Sequence, residues 1–102
     1  MLIKDRIKKE NLEKPFSKAA VDIKRELISI GCELHIDCAE ELVKDGSSQK
    51  DLWGFNIYSD GSLDFISLLN IRPADNNRSM EIQNQEIRQK IEEIVKKFLP
   101  TE

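Results

Sequence analysis

The chain has 102 residues, 39% of them hydrophobic and 34% charged, and this length predicts a single domain over residues 1–102. It contains no run of about 20 apolar residues that could cross a membrane, and no membrane partner is expected. With a net charge of −3, no overall basic field attracts nucleic acid, and nucleic-acid binding is not expected. The first six residues contain no apolar run typical of a secretory signal, which predicts a cytoplasmic protein.

Residues 2–7 predict a short opening strand, and residues 15–30 predict a helix. The helix begins with a proline, which suits a first turn, and Gly31 could end it. Six apolar residues form a stripe at helical spacing: Phe16, Ala19, Ala20, Ile23, Leu27 and Ile30. Val21 and Ile28 lie off the stripe, so they either widen the buried face or contact another chain.

From Gly31 to Cys38 the apolar period changes to two, which predicts a half-buried strand. Residues 39–45 could then form a short helix. Cys32 and Cys38 are too few for a disulfide scaffold, and their spacing fits no zinc motif. We therefore predict two free thiols and no cofactor.

A β-hairpin is predicted next, because Asp60-Gly61 separates two apolar runs over 53–58 and 63–71. Matching faces favour a type I turn with a glycine bulge, which places Asn56 on the same face as Asp64. The second run is apolar on both faces over part of its length, as expected of a central strand.

The last helix is predicted from a cap at Asn84 to a stop at Pro100. Its apolar stripe is Ile87, Ile91, Ile94, Val95, Phe98 and Leu99. The predicted order is (β)-α-β-(short α)-β-β-α. This order indicates an α+β two-layer sandwich in which both helices cover one face of an antiparallel or mixed sheet.

Polar residues on the predicted strands could form a site on the other face of this sheet. Strand alternation would place Glu33, His35 and Asp37 on one side, and the hairpin positions of matching parity are Asn56, Asn70 and Arg72. His35, Asp37 and Arg72 are candidate catalytic residues: an imidazole base, a flanking carboxylate and a guanidinium for an anionic group. The candidate ligand-binding residues are Glu33, Asn56, Asn70, Arg72 and Arg78.

Each of these residues also has a plainer interpretation. The Glu-x-His-x-Asp pattern could equally bind a metal, although no metal site is assigned, and a strand histidine is more often a surface or hydrogen-bonded residue. Arg72 could pair with an acidic neighbour such as Asp37 or Asp64, in which case the loop after it is only a connector. Trp53 is expected in the core, with stacking on a ligand as the alternative.

Three stretches of the sequence resemble a family of short prokaryotic proteins known only as a domain of unknown function. They are residues 31–37 (GCELHID), 45–54 (DGSSQKDLWG) and 67–73 (SLLNIRP). The resemblance covers most of the chain and implies a small cytoplasmic prokaryotic protein. It implies no activity, cofactor or catalytic residue.

Two classes of function remain open at this point. A two-layer domain without a catalytic motif favours an interaction module for a protein or a ligand, which could be a homodimer that pairs through the sheet face or the Val21/Ile28 stripe. The alternative is a small enzyme, or an anion- or metal-binding protein, which uses His35, Asp37, Asn70 and Arg72 on the polar sheet face. A small anionic ligand is the expected partner in that case.

Overall fold

The computed structural model of the chain describes residues 2–3 and 16–98. Within these residues five strands form one antiparallel sheet in the order β1-β3-β2-β4-β5, which two α-helices accompany. The elements are β1 (Leu2–Ile3), β2 (Phe16–Asp22), β3 (Leu27–Cys32), α1 (His35–Lys44), β4 (Leu52–Tyr58), β5 (Leu63–Asp64) and α2 (Gln85–Phe98). The predicted α+β class is confirmed. The opening strand is confirmed at residues 2–3, while the rest of that prediction lies outside the described residues.

The helix predicted over residues 15–30 is wrong, because residues 16–32 form the β2–β3 hairpin. Asp22 makes the turn: its Oδ1 accepts hydrogen bonds from the backbone N–H groups of Lys24 and Arg25, both at 2.9 Å. This pattern competes with the helix, and Glu26 completes the turn with a left-handed φ of 57°. Apolar residues face both sides of β2, so the two-residue alternation that marks a strand is hidden.

Val21 and Ile28 are partners across this hairpin, and both are fully buried within the chain. Of the two alternatives, the wider buried face is confirmed, and a contact of these two side chains with another chain is not. Their side chains contribute instead to the larger of two apolar clusters.

The strand predicted over residues 31–38 is also wrong, since β3 ends at Cys32 and α1 begins at His35. Asp37 stabilises the start of the helix, because its carboxylate accepts a hydrogen bond from the backbone N–H of Leu34 at 3.3 Å. Leu34 and Ile36 stay exposed, which explains why the sequence imitates an alternating strand. The predicted short helix over 39–45 is the second half of α1, whose buried residues are Cys38, Ala39 and Leu42.

Cys32 and Cys38 form a disulfide with their Cα atoms 5.7 Å apart, so the prediction of free thiols is wrong. In an extended strand these Cα atoms would lie about 20 Å apart, out of reach of a disulfide. The helical first turn of α1 brings the two residues together. The disulfide therefore joins the end of β3 to the start of α1.

The predicted hairpin turn and its register are confirmed. Asn56 pairs with Asp64 and Ile57 with Leu63, and Gly61 adopts the positive φ of 92° that a glycine bulge requires. The second strand differs from the prediction, because β5 has two residues and lies at the edge of the sheet rather than in its centre.

The last helix is confirmed as α2, with Asn84 as its cap: Asn84 Oδ1 accepts from the backbone N–H groups of Glu86 and Ile87 at 2.8 and 3.2 Å. The predicted stop at Pro100 lies outside the described residues. No helix among residues 16–98 is both long and apolar enough to cross a bilayer.

The two helices cover opposite faces of the sheet, so the predicted two-layer arrangement with both helices on one face is wrong. One cluster joins α2 to Ala19, Ile30 and Phe55 among others, whereas α1 packs through Cys38, Ala39 and Leu42 on Ala20 and Leu52. Since neighbouring residues of a strand point to opposite faces, Ala19 and Ala20 lie under different helices. The part of its face that α1 leaves uncovered carries polar side chains of the sheet, among them Lys18 and Asn56.

Candidate functional site

A groove with a volume of about 660 Å³ opens on the face of the sheet that α1 covers in part. One wall is the start of α1, and the other is the segment 66–69. Strands β2 and β4 contribute Lys18 and Asn56 between these walls. The described residues that line the groove are Phe16, Lys18, Leu34, His35, Ile36, Asn56, Ile66, Ser67, Leu68, Leu69 and Met80.

The groove collects most of the exposed apolar surface of the described chain. Nine large apolar side chains are exposed among the described residues, and six of them line the groove. Leu68 is 72% exposed and Leu34 55% exposed; the other four are Phe16, Ile36, Ile66 and Met80. Scattered exposed apolar residues are ordinary, but a contiguous patch of this kind is typical of a binding surface.

The wall formed by residues 66–69 packs directly on Gly54 of β4. A Cβ atom at position 54 would lie 2.5 Å from Ser67 Oγ and 3.2 Å from Leu69 Cδ1. Only a glycine lets the segment approach the strand this closely. The Ser67 N–H also donates a hydrogen bond to the carbonyl of Met80 at 3.0 Å, which joins two lining segments.

Asn70 fixes the end of this wall to the sheet. Its side-chain amide accepts from the Gly54 N–H at 2.8 Å and donates to the Gly54 carbonyl at 2.9 Å, as a neighbouring strand would. It also donates to the Met80 carbonyl at 3.0 Å, and the residue is fully buried. The structure thus places this predicted ligand-binding residue in the interior, outside the groove lining.

Asn77 supports the same region from the other side. Its Nδ2 donates to the carbonyl of Asn70 at 2.6 Å, and its Oδ1 accepts from the Gln83 N–H at 2.8 Å. The loop between the predicted anion-binding arginines is therefore a hydrogen-bonded connector around two buried asparagines.

His35, the first residue of α1, lines the groove beside Asn56. Its Nε2 is 3.0 Å from the carbonyl of Phe55 and 2.9 Å from Asn56 Oδ1. A carbonyl only accepts hydrogen bonds, so Nε2 carries the proton. Asn56 in turn donates to Asp64 Oδ2 at 3.4 Å, and this chain of bonds fixes the imidazole against β4.

Burial lowers the pKa of His35 below its usual value of 6.5, and the positive charge of Lys18 adds to this effect. The Phe55 carbonyl, the Asn56 side chain and the Asp64 charge oppose it without reversing it. The imidazole is therefore neutral at pH 7, with its Nδ1 as the acceptor.

This lowered pKa predicts a pH dependence of stability. Below pH 6.5 the unfolded chain binds a proton at His35 that the folded chain takes up only at lower pH, so the free energy of unfolding falls as the medium is acidified. We expect a smaller loss in His35→Gln than in the wild type between about pH 7.5 and pH 5. Urea unfolding at both pH values measures it. Equal losses in the two proteins would contradict the assignment.

A second, smaller cavity of about 330 Å³ adjoins the groove, since Ile36 and Leu69 line both. Arg72 lines this cavity, and its guanidinium lies 4.1 Å from the centre of the Trp53 ring. It donates to the Lys50 carbonyl at 2.8 Å and lies 3.7 Å from Asp75 Oδ2. Neither Asp37 nor Asp64 is its partner, and Trp53 is buried in the core as predicted.

The structure brings together two of the predicted site residues, His35 and Asn56. Glu33 and Asp37 are exposed outside the groove lining, and Arg78 is an exposed residue of the loop that follows Arg72. Within the described residues, no three His, Cys, Asp or Glu side chains cluster so as to hold a metal ion. The roles assigned to these residues stay predictions.

A family model described as "Protein of unknown function (DUF5674)" matches residues 1–98. The chain belongs to this family. No curated protein and no solved structure matches it. The function of this DUF5674 member must therefore be argued from its own residues.

Lys18 and the apolar walls of the groove are the parts of this DUF5674 site that sequence reasoning missed. The sequence pattern predicts a helix at Lys18 and a strand with Leu34 and Ile36 on its buried face. Two features of the sequence could have indicated the 66–69 wall. These residues are largely apolar, and β4 contains a glycine, which often marks a close approach of another backbone segment.

Proposed function

We propose that this DUF5674 protein is a binding module and that the groove is its binding surface. The observation that carries the proposal is the convergence of six exposed large apolar side chains on one groove. Covering such a surface removes it from water, and this removal stabilises a complex by about 25 cal/mol for each Å². A volume of about 660 Å³ falls in the range of ordinary ligand sites.

Binding is favoured over catalysis because the polar residues proposed for an enzyme are buried, hydrogen-bonded or outside the groove. Asn70, one of the residues suggested for the enzyme, is buried and bonded to the backbone, and Arg72 lines the other cavity. Ser67 Oγ accepts from the Leu69 N–H at 3.2 Å and packs on Gly54. His35 Nε2 bonds to Phe55 and Asn56, and no hydrogen bond joins the imidazole to Ser67, so these described residues do not form a nucleophile–base pair.

Binding of the neutral dye Nile red, whose fluorescence increases in apolar surroundings, tests this proposal. We expect Leu68→Ser to weaken dye binding by roughly ten-fold, or about 1.4 kcal/mol, because the variant removes the most exposed apolar side chain of the groove. Fluorescence titration measures the dissociation constant.

Val43→Ser is the matched control, since Val43 is an exposed apolar residue of α1 that does not line the groove. It should leave dye binding unchanged. Equal losses in both variants, or no dye binding by the wild type, would contradict the proposal. If the amount of dye bound per protein chain falls as the protein concentration rises, a second copy covers the groove, as in the predicted homodimer.

We also propose that the protein is prokaryotic and cytoplasmic. Disulfides persist mainly in oxidising compartments, so the Cys32–Cys38 bond makes such a compartment the competing location. Fractionation of the native cells tests this, and recovery of the chain outside the cytoplasmic fraction would contradict the prediction.

A further inference from the structure

We propose that the groove binds an aliphatic carboxylate, with the carboxylate on the ammonium of Lys18 and the hydrocarbon chain between the two walls. This inference rests on the proposed function, because it names the class of ligand that the same groove takes.

Lys18 is the one charged side chain among the described residues that line the groove. Its Nζ donates one hydrogen bond, to the carbonyl of Glu33 at 2.9 Å. An ammonium group has three donors, and Lys18 makes no ion pair with a carboxylate of the described residues. The half-buried cation therefore keeps donors for an incoming anion, and a charge-assisted hydrogen bond is among the stronger polar contacts.

The remainder of the groove offers aliphatic contacts, which suit a flexible hydrocarbon chain. Its walls are aliphatic: Leu34, Ile36, Ile66, Leu68, Leu69 and Met80. Such side chains adapt to a chain of methylene groups, and methionine in particular fills irregular space. Phe16, the one phenylalanine of the described lining, has Tyr58 as a ring neighbour, with centroids 5.8 Å apart.

An extended peptide is disfavoured as the ligand because the backbone groups at the nearest strand edge, that of β4, are already hydrogen-bonded. Peptides that add to a sheet need free backbone N–H and carbonyl groups on the edge strand. On β4 the side chain of Asn70 occupies both groups of Gly54, and β5 pairs with Asn56 and Ile57. Three polar residues of the lining are neighbours, since Lys18 pairs with Asn56 across β2 and β4 and His35 bonds to Asn56. This cluster suits a ligand with one polar group.

Displacement of Nile red by decanoate and by decan-1-ol tests the inference. The two compounds have the same chain length, and desolvation alone favours the neutral alcohol. We expect decanoate to displace the dye from the wild-type protein at a roughly ten-fold lower concentration. In Lys18→Gln this preference should disappear because decanoate binds more weakly, while decan-1-ol should bind as before.

Lys18→Arg keeps a cation at this position and should keep the preference for decanoate. Lys44→Gln removes an exposed lysine of α1 outside the groove and should change neither affinity. Thermal unfolding of each variant verifies that it is folded.

Two results would overturn the carboxylate assignment while the groove remains a binding site. One is displacement of the dye by decan-1-ol at least as strong as by decanoate. The other is equal weakening of both compounds in Lys18→Gln. If Nile red itself does not bind to the wild-type protein, both the assignment and the proposed function fail.

Discussion

Replacing Asn70 with aspartate should lower the free energy of unfolding by about 3–5 kcal/mol. The amide of Asn70 faces three backbone carbonyls: those of Gly54 and Met80 at 2.9 and 3.0 Å, and that of Phe65 at 3.4 Å. A carboxylate has no donor for these oxygens and would add a negative charge to a fully buried position. Urea unfolding, monitored by Trp53 fluorescence, measures the loss.

Gln89→Glu is the matched control, because it makes the same change from amide to carboxylate on an exposed position of α2. We expect a change within about 0.5 kcal/mol, as for most surface substitutions. A loss for Asn70→Asp no larger than this would mean that the amide does not carry the contact between the 66–70 segment and the sheet.

Gly54→Ala should be destabilising by about 1–3 kcal/mol through overpacking. The added methyl group would lie 2.6 Å from Ser67 Cβ as well as 2.5 Å from its Oγ, so the wall must move away from β4. We also expect weaker Nile red binding, since this wall carries Leu68 and Leu69. Chemical unfolding and dye titration measure the two effects.

A second substitution identifies the cause. Ser67→Gly removes the two nearest atoms and should recover much of the stability that Gly54→Ala loses, whereas Ser67→Ala keeps the Cβ and should recover little. Equal stabilities of the two double variants would contradict the proposed collision.

The elements that the sequence predicted correctly depend on local chemistry. Asn84 caps α2 through its own side chain, and Asp60-Gly61 supplies the turn conformation that sets the β4–β5 register. Each of these signals acts within a few residues. They are therefore readable without knowledge of the rest of the fold.

The incorrect elements depend on contacts between distant segments. Ala19 and Ala20 are adjacent in β2 but lie under different helices. Because both faces of β2 are buried, its sequence lacks the alternation of apolar and polar residues that indicates a strand. In the region 31–38 the exposed residues Leu34 and Ile36 supplied a false strand pattern, and nothing local revealed that Cys38 would meet Cys32.

The candidate site was predictable only in part. His35 and Asn56 do meet, although the argument that paired them assumed a strand where α1 begins. The walls were not predictable, because they combine residues near positions 16, 34, 66 and 80 that no short-range pattern connects. Strand parity predicts one face for Arg72 and Asn70, but β5 ends at Asp64 and this parity does not apply after it.

The amide of Asn70 also has a consequence for self-association of the whole molecule. An uncovered strand at the margin of a sheet is where chains add to one another in amyloid-like fibrils. In the middle of β4 the side chain of Asn70, rather than a further strand, occupies the backbone N–H and carbonyl of Gly54. Loss of this one side chain would therefore leave the N–H and carbonyl of Gly54 open to pairing with another chain, in addition to loosening the fold.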